Sequence, residues 1–192
     1  AAGLAVVAPR TYRDELAGMD VLCSDKAGSL AQNKLTLGDP VVLGAVTSED
    51  IILNGAVASR AEDQDAIDLA VLSGIKDGQR LDAFQILHFQ PFDPVHKRTE
   101  VTVKDPDGNE FKVSKGAPQV ILALATNVEK IRAQVEETVN QFASRGFRAL
   151  GVARTDDQNQ WQFLGIIPLF DPPREDSAST IKMAEQMGVQ VK

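Results

Sequence analysis

The stretch Met19-Asp20-Val21-Leu22-Cys23-Ser24-Asp25-Lys26-Ala27-Gly28-Ser29-Leu30 opens on a short apolar run and ends in a glycine-bearing loop after a carboxylate. Val21 to Cys23 reads as a buried strand, with Asp25 just past its C-terminal end. Open α/β sheets place their ligands at that end. Gly28 lets backbone N–H groups approach an anion, and an aspartate can act as a nucleophile that accepts a phosphoryl group. On spacing alone the plainer reading is favoured, in which Asp25 caps a turn and Lys26 is solvated.

Far downstream a matching pattern returns. Glu175 to Met187 reads as a helix with Ile181, Ala184 and Met187 inward and Gly188 as its stop, and Val189-Gln190-Val191 begins a strand. The strands at Val21 and Val189 are expected to share one parallel sheet, with the whole middle inserted between them. A domain rarely ends on the first residues of a buried strand, so the C-terminus is expected to be a cut inside a βα repeat.

The middle is richer in β signals. Val41 to Val46 reads as a strand, and Ser48 as the N-cap of a helix through Ile51, Ile52 and Ala56. A second helix is expected from about Asp65 to Leu72, stopped by Gly74. Phe84 to Phe89 is strand-like and runs up to Pro91; Glu100 to Lys104, the turn Asp105-Pro106-Asp107-Gly108, and Phe111 to Ser114 form a hairpin signature. Pro118 opens a helix to Ala125, and Asn127 caps a longer one with Val128, Ile131, Val135, Val139 and Phe142 as its stripe and Gly146 as its end. Phe147 to Ala153 and Trp161 to Ile167 read as strands around the polar turn Thr155 to Gln160.

Composition bounds the function. The chain has 192 residues, 43% apolar and 24% charged, so it is globular and can bury a core. Its 20 basic against 27 acidic residues give a net charge of −7, which disfavours nucleic acid and anionic lipid as partners. No apolar run spans a bilayer. One cysteine excludes an intrachain disulfide framework and fits a reducing compartment.

Two further stretches could carry chemistry. Phe92-Asp93-Pro94-Val95-His96-Lys97-Arg98 joins a ring that can stack on a base to cations that suit phosphates. Ser114-Lys115-Gly116-Ala117-Pro118 sets a lysine and a glycine before a helix N-terminus. Each alone is also read as a core residue beside a solvated loop, or a simple turn. Glu62, Asp63, Asp65 and Asp68 read as a solvated helix start, His88 and Trp161 as core residues, and His96 as a solvated surface histidine.

Order and spacing add a resemblance. Leu22-Cys23-Ser24-Asp25-Lys26-Ala27-Gly28-Ser29-Leu30-Ala31-Gln32-Asn33-Lys34 resembles the phosphorylation signature of P-type ion-pumping ATPases. Glu62-Asp63-Gln64-Asp65-Ala66-Ile67-Asp68, Pro91-Phe92-Asp93-Pro94-Val95-His96-Lys97-Arg98-Thr99, Lys115-Gly116-Ala117-Pro118 and Asp171-Pro172-Pro173-Arg174 follow in that family's order. The wording is most similar to the plasma-membrane proton pumps. The resemblance implies an α/β chain. Residues 1–36 and 168–192 would be pieces of a haloacid-dehalogenase-like phosphorylation domain. Residues 37–167 would be the inserted α+β nucleotide-binding domain, an antiparallel sheet flanked by helices.

Carried over by motif, Asp25 would take the γ-phosphoryl group of ATP, with Lys26 beside it and Ala27, Gly28 and Ser29 as the phosphate loop. Mg²⁺ would bind the Asp25 carboxylate and the Ala27 backbone carbonyl. Phe92 would stack on adenine, Asp68 would lie near the base, Lys97, Lys115 and Gly116 would line the pocket, and Arg148 would reach the phosphates. Asp171 and Arg174 would mark the hinge. Partners would be ATP or ADP and the remaining domains and transmembrane helices of a plasma-membrane pump, with this portion on the cytoplasmic side and not itself inserted in the membrane. Alone it is expected to bind nucleotide weakly without turnover. The family has Thr where this chain has Ala27, Ser29 and Ala31, which supports an alternative: a catalytically impaired nucleotide-sensing or interaction domain. A soluble haloacid-dehalogenase-type phosphatase is disfavoured, because no acid/base carboxylate stands two residues after Asp25.

Overall fold

The computed structural model describes residues 21–22, 34–76, 78–172, 177–188 and 190–191. In chain order the elements are β1 (Val21–Leu22), β2 (Thr36–Leu37), β3 (Val41–Val42), α1 (Ser48–Val57), α2 (Ala66–Ser73), α3 (Gly78–Asp82), β4 (Gln85–Asp93) and β5 (Arg98–Lys104). There follow β6 (Glu110–Gly116), α4 (Pro118–Leu124), α5 (Val128–Ser144), β7 (Arg148–Thr155), β8 (Trp161–Phe170), α6 (Ser177–Gln186) and β9 (Gln190–Val191). The described residues divide into two compact units, Leu35–Phe170 and those described within Ala1–Lys34 and Asp171–Lys192.

In the second of these, β1 pairs in parallel with β9, Val21 opposite Gln190 and Leu22 opposite Val191. This is the parallel pairing expected from the two apolar runs. The helix α6 ends before Gly188, whose φ of 81° lies in the left-handed region that favours glycine. Met187 was expected inward but is 73% exposed, because the helix has already ended when the chain reaches it.

Residues 35–170 form a seven-stranded antiparallel sheet in the order β2-β8-β7-β6-β5-β4, with β3 also on β8. Along β5 burial alternates, with Thr99, Val101 and Val103 inward. The β5–β6 turn is closed by the Asn109 N–H, which donates to Asp105 Oδ1 at 2.8 Å, and by Gly108 at φ 89°. Ile51, Val71, Val101, Val113, Val152 and Ile167 make one core under α1 and α2; Ile121, Val135, Phe142, Phe163 and Ile166 make the other under α4 and α5. Successive residues of β8 therefore enter opposite cores, so it reads as an unbroken apolar run. Gly165 sits where β3 and α1 cross this strand, and a Cβ there would come within 2.5 Å of Ile51 Cδ1.

Several local expectations are corrected. The strand at Val41 ends after Val42, because the Leu43 and Gly44 N–H groups both turn onto the Leu164 carbonyl at 2.9 Å. The first helix is capped by Thr47, not Ser48. The Asp50 N–H donates to Thr47 Oγ1 at 3.2 Å while the Thr47 N–H donates to Asp50 Oδ2 at 3.0 Å, a reciprocal capping box. Asn127 stands at the N-cap of α5 but makes no cap bond; its Oδ1 accepts from the Phe163 N–H at 3.1 Å instead. The short helix α3 was not foreseen. The strand β4 runs through Pro91 and leaves His88 exposed rather than in the core, since it is an edge strand that tolerates a missing donor. Trp161 is half-buried against the second core.

The Thr47 N–H, and after it the Thr47 hydroxyl, hold the Asp50 carboxyl below its ordinary range. A lowered folded value means that this contribution is complete above the ordinary carboxylate range and is lost as pH falls through the folded value. Thr47→Ala should cost about 1 kcal/mol in urea unfolding followed by Trp161 fluorescence. Asp50→Asn should lose less stability than the wild type on going from about pH 6 to about pH 3.

Candidate functional site

The start of α2, the end of β4 with the β4–β5 turn and the start of β5, the end of β6 and the start of β7 converge on one cleft of about 620 Å³. Its aromatic side comes from β4. Gln90 pairs with Glu100 and Asp93 with Arg98, so Pro91 and Phe92 together oppose the single Thr99. That bulge re-aims the strand. It leaves Phe92 on the cleft and 59% exposed, a large ring held available rather than packed. Phe89 also lines the cleft, and the Arg60 guanidinium lies over its ring at 3.6 Å.

The sheet supplies Thr99, Lys115 and Leu150 to the cleft. Lys115 is 4% exposed and its Nζ is ion-paired with Asp68 Oδ1. The other oxygen, Asp68 Oδ2, accepts the Arg60 N–H at 2.9 Å. Asp68 therefore does not belong to a solvated helix start, as the acidic run suggested; α2 turns it inward onto a lysine. Asp65, in contrast, is the N-cap of α2, accepting the Ile67 N–H at 2.9 Å. Glu62 and Asp63 are exposed.

Lys97 closes the β4–β5 turn in the left-handed region at φ 53°, and its N–H donates to the Asp93 carbonyl at 2.6 Å. Its own carbonyl accepts the Ala117 N–H at 3.2 Å. Gly116 makes this approach possible, because a Cβ there would overlap the Lys97 carbonyl and lie 2.8 Å from Arg98 Cα. His96 is exposed as expected, and its Nδ1 is hydrogen-bonded to Asp93 Oδ2. The Val95 N–H, and after it His96, hold the Asp93 carboxyl below its ordinary range. Arg98 turns away to pair with Glu100.

The structure thus brings Asp68, Phe92, Lys97, Lys115, Gly116 and Arg148 around one cleft. Asp25, Lys26, Ala27, Gly28, Ser29 and Arg174 lie outside the described residues. Asp171, expected at a hinge, accepts the Lys34 N–H through Oδ1 at 3.3 Å. Among the described residues no group of three or more His, Cys, Asp or Glu side chains could hold a metal ion. Sequence reasoning missed Phe89 and Arg60. Phe89 was seen only as the end of an apolar run, and nothing in the chain placed Arg60 against it. Chemically, the cleft offers a free aromatic face beside the cationic side chains of Lys97 and Arg148, with the Lys115 charge already balanced by Asp68. A planar ring carrying anionic groups matches that set.

No protein-family model matches the chain. Over 191 residues, 98% of its length, the chain is 48% identical to a protein of Methanocaldococcus jannaschii named "Putative cation-transporting ATPase". The chain spans 23% of that relative's length.

Removing one partner of a buried ion pair strands the other charge, at a cost of about 3–5 kcal/mol. Lys115→Met should therefore destabilise the protein by about that much in urea unfolding. The double variant Asp68→Asn with Lys115→Met should recover much of the loss, because no charge is left buried alone.

Proposed function

We propose that this chain is the nucleotide-binding portion of a P-type cation pump together with part of its phosphorylation domain, and that the cleft receives ATP. The observation that carries the proposal is the meeting of Phe92, Lys97, Lys115, Gly116 and Arg148, which are scattered over 57 positions of sequence, on one cleft around the buried Asp68. The likeness to a cation-transporting ATPase over nearly the whole chain supports it. Among the described residues no helix is long and apolar enough to cross a membrane, so in this reading ion passage belongs to other parts of a longer protein. The five motifs favour a proton as the cation and the cytoplasmic side of the plasma membrane as the location.

In the proposed cycle Phe92 stacks on adenine, and Asp68 with Lys115 borders the base. Lys97 and Arg148 balance phosphate charge, so the triphosphate is oriented rather than merely held. An Asp25 carboxylate oxygen attacks the γ-phosphorus, the bond to the β–γ bridging oxygen breaks, and ADP leaves while Asp25 becomes an aspartyl-phosphate. Water later hydrolyses that mixed anhydride and releases inorganic phosphate. The Asp25 carboxylate and the Ala27 carbonyl, which lie outside the described residues, would hold Mg²⁺, which when bound would supply neutralisation of phosphate charge. Ala27 and Ala31, where the resembled family has Thr, favour the second reading of a nucleotide-sensing module with impaired transfer.

Titrating ATP to millimolar concentration should shift the amide resonances of Phe92, Lys97 and Lys115, and the absence of any shift there would overturn the proposal. Phe92→Ala should weaken binding by about 1–3 kcal/mol, the usual worth of a base stacked on a ring. In the longer protein, ATP should give a hydroxylamine-labile phosphate label that Asp25→Asn abolishes. Where no label forms, Ala27→Thr with Ala31→Thr should restore it if lost donors are the cause, by roughly a hundredfold or more in rate; continued silence would favour the sensing module.

A further inference from the structure

We infer that Asp93 is a positioning residue for nucleotide binding, acting through Lys97 without touching the ligand; the inference rests on the reading of the cleft as a nucleotide site. Asp93 is not among the residues that line the cleft, yet it makes three bonds within the turn that follows it. Its Oδ1 accepts the Val95 N–H at 2.8 Å, its Oδ2 is bonded to His96 Nδ1, and its carbonyl accepts the Lys97 N–H at 2.6 Å. These bonds fold Pro94 to Lys97 back on the end of β4. The carbonyl bond, which any residue at 93 can make, reaches Lys97 itself. The two side-chain bonds hold Val95 and His96 and so brace the backbone that carries Lys97 at a φ of 53°, a conformation uncommon for a residue with a Cβ.

The far side of the turn is fixed independently. The Ala117 N–H donates to the Lys97 carbonyl at 3.2 Å, and Gly116, lacking a Cβ, lets the turn lie directly against the end of β6. Between them, Asp93 from one side and Gly116-Ala117 from the other determine where the Lys97 side chain starts. Phe92, one residue before Asp93, and Pro94, one residue after, both line the cleft, and the aspartate's side-chain bonds run forward from it, toward Lys97 rather than back to the ring. A carboxylate suits this place because it accepts in two directions at once. Asparagine keeps the acceptor for Val95 and can still meet His96; alanine keeps neither.

The test is ATP affinity of the full chain by titration, for the wild type, Asp93→Ala, Asp93→Asn, Lys97→Ala and Asp93→Ala with Lys97→Ala. Asp93→Ala should weaken ATP binding roughly tenfold, the size of one charge-assisted contact. Asp93→Asn should recover most of that affinity, and Asp93→Ala should add nothing once Lys97 is already alanine. Unchanged affinity in Asp93→Ala, or a full further loss on top of Lys97→Ala, would overturn the inference. Should Asp93→Ala fail to fold, Asp93→Glu carries the same comparison: its carboxylate is displaced by one methylene, and binding should fall only while Lys97 is present. Failure of the wild type to bind ATP would instead reject the nucleotide reading itself.

Discussion

One buried charge pair ties the site to the fold. Lys115 reaches inward from β6, and Asp68 meets it from α2. Neither charge is stable there without the other, since desolvating an unpaired ion costs several kcal/mol. The pair therefore fixes the start of α2 against the sheet, and the Arg60 N–H on the second carboxylate oxygen extends the tie to the segment after α1. A cleft that opens beside such a tie has a polar floor of set position.

The rest of the cleft follows from two breaks in sheet regularity. The bulge on β4 sets Pro91 and Phe92 against a single residue of β5, and the glycine at 116 lets the β4–β5 turn lie directly on the end of β6. The first lies on the edge strand, the second at the end of the interior strand β6. The edge strand has ladder bonds on one side only, so a bulge at a proline interrupts a single ladder while it presents the ring. Phe89, with the Arg60 guanidinium over its ring, is a second aromatic side chain in the cleft lining.

How much of this was legible can be judged residue by residue. The hairpin around Asp105 to Gly108, the proline opening of α4, the stripe of α5 and the parallel partnership of the runs at Val21 and Gln190 were readable, because turn chemistry and periodicity are local signals. The capping box at Thr47 was readable too, as a threonine three residues before an acid, yet Ser48 was preferred. Asn127 was placed at the right position with the wrong partner, because its amide finds Phe163, 36 residues away, and no local rule reaches that far. His88 looked like core for want of knowing that its strand is an edge.

The amino-acid order by itself determined the local conformations and the chemistry each motif could perform: which segments pleat, which coil, where glycine or proline punctuates them, and which side chains carry rings or charges. Such properties depend on neighbours a few bonds away. Only the tertiary structure decided that Asp68 is a buried counter-ion rather than a solvated cap residue, that Arg60 covers Phe89, and that Phe92, Lys97 and Arg148 border one space. Those are matters of desolvation and packing, and they exist only once strands and helices distant in sequence have closed on each other.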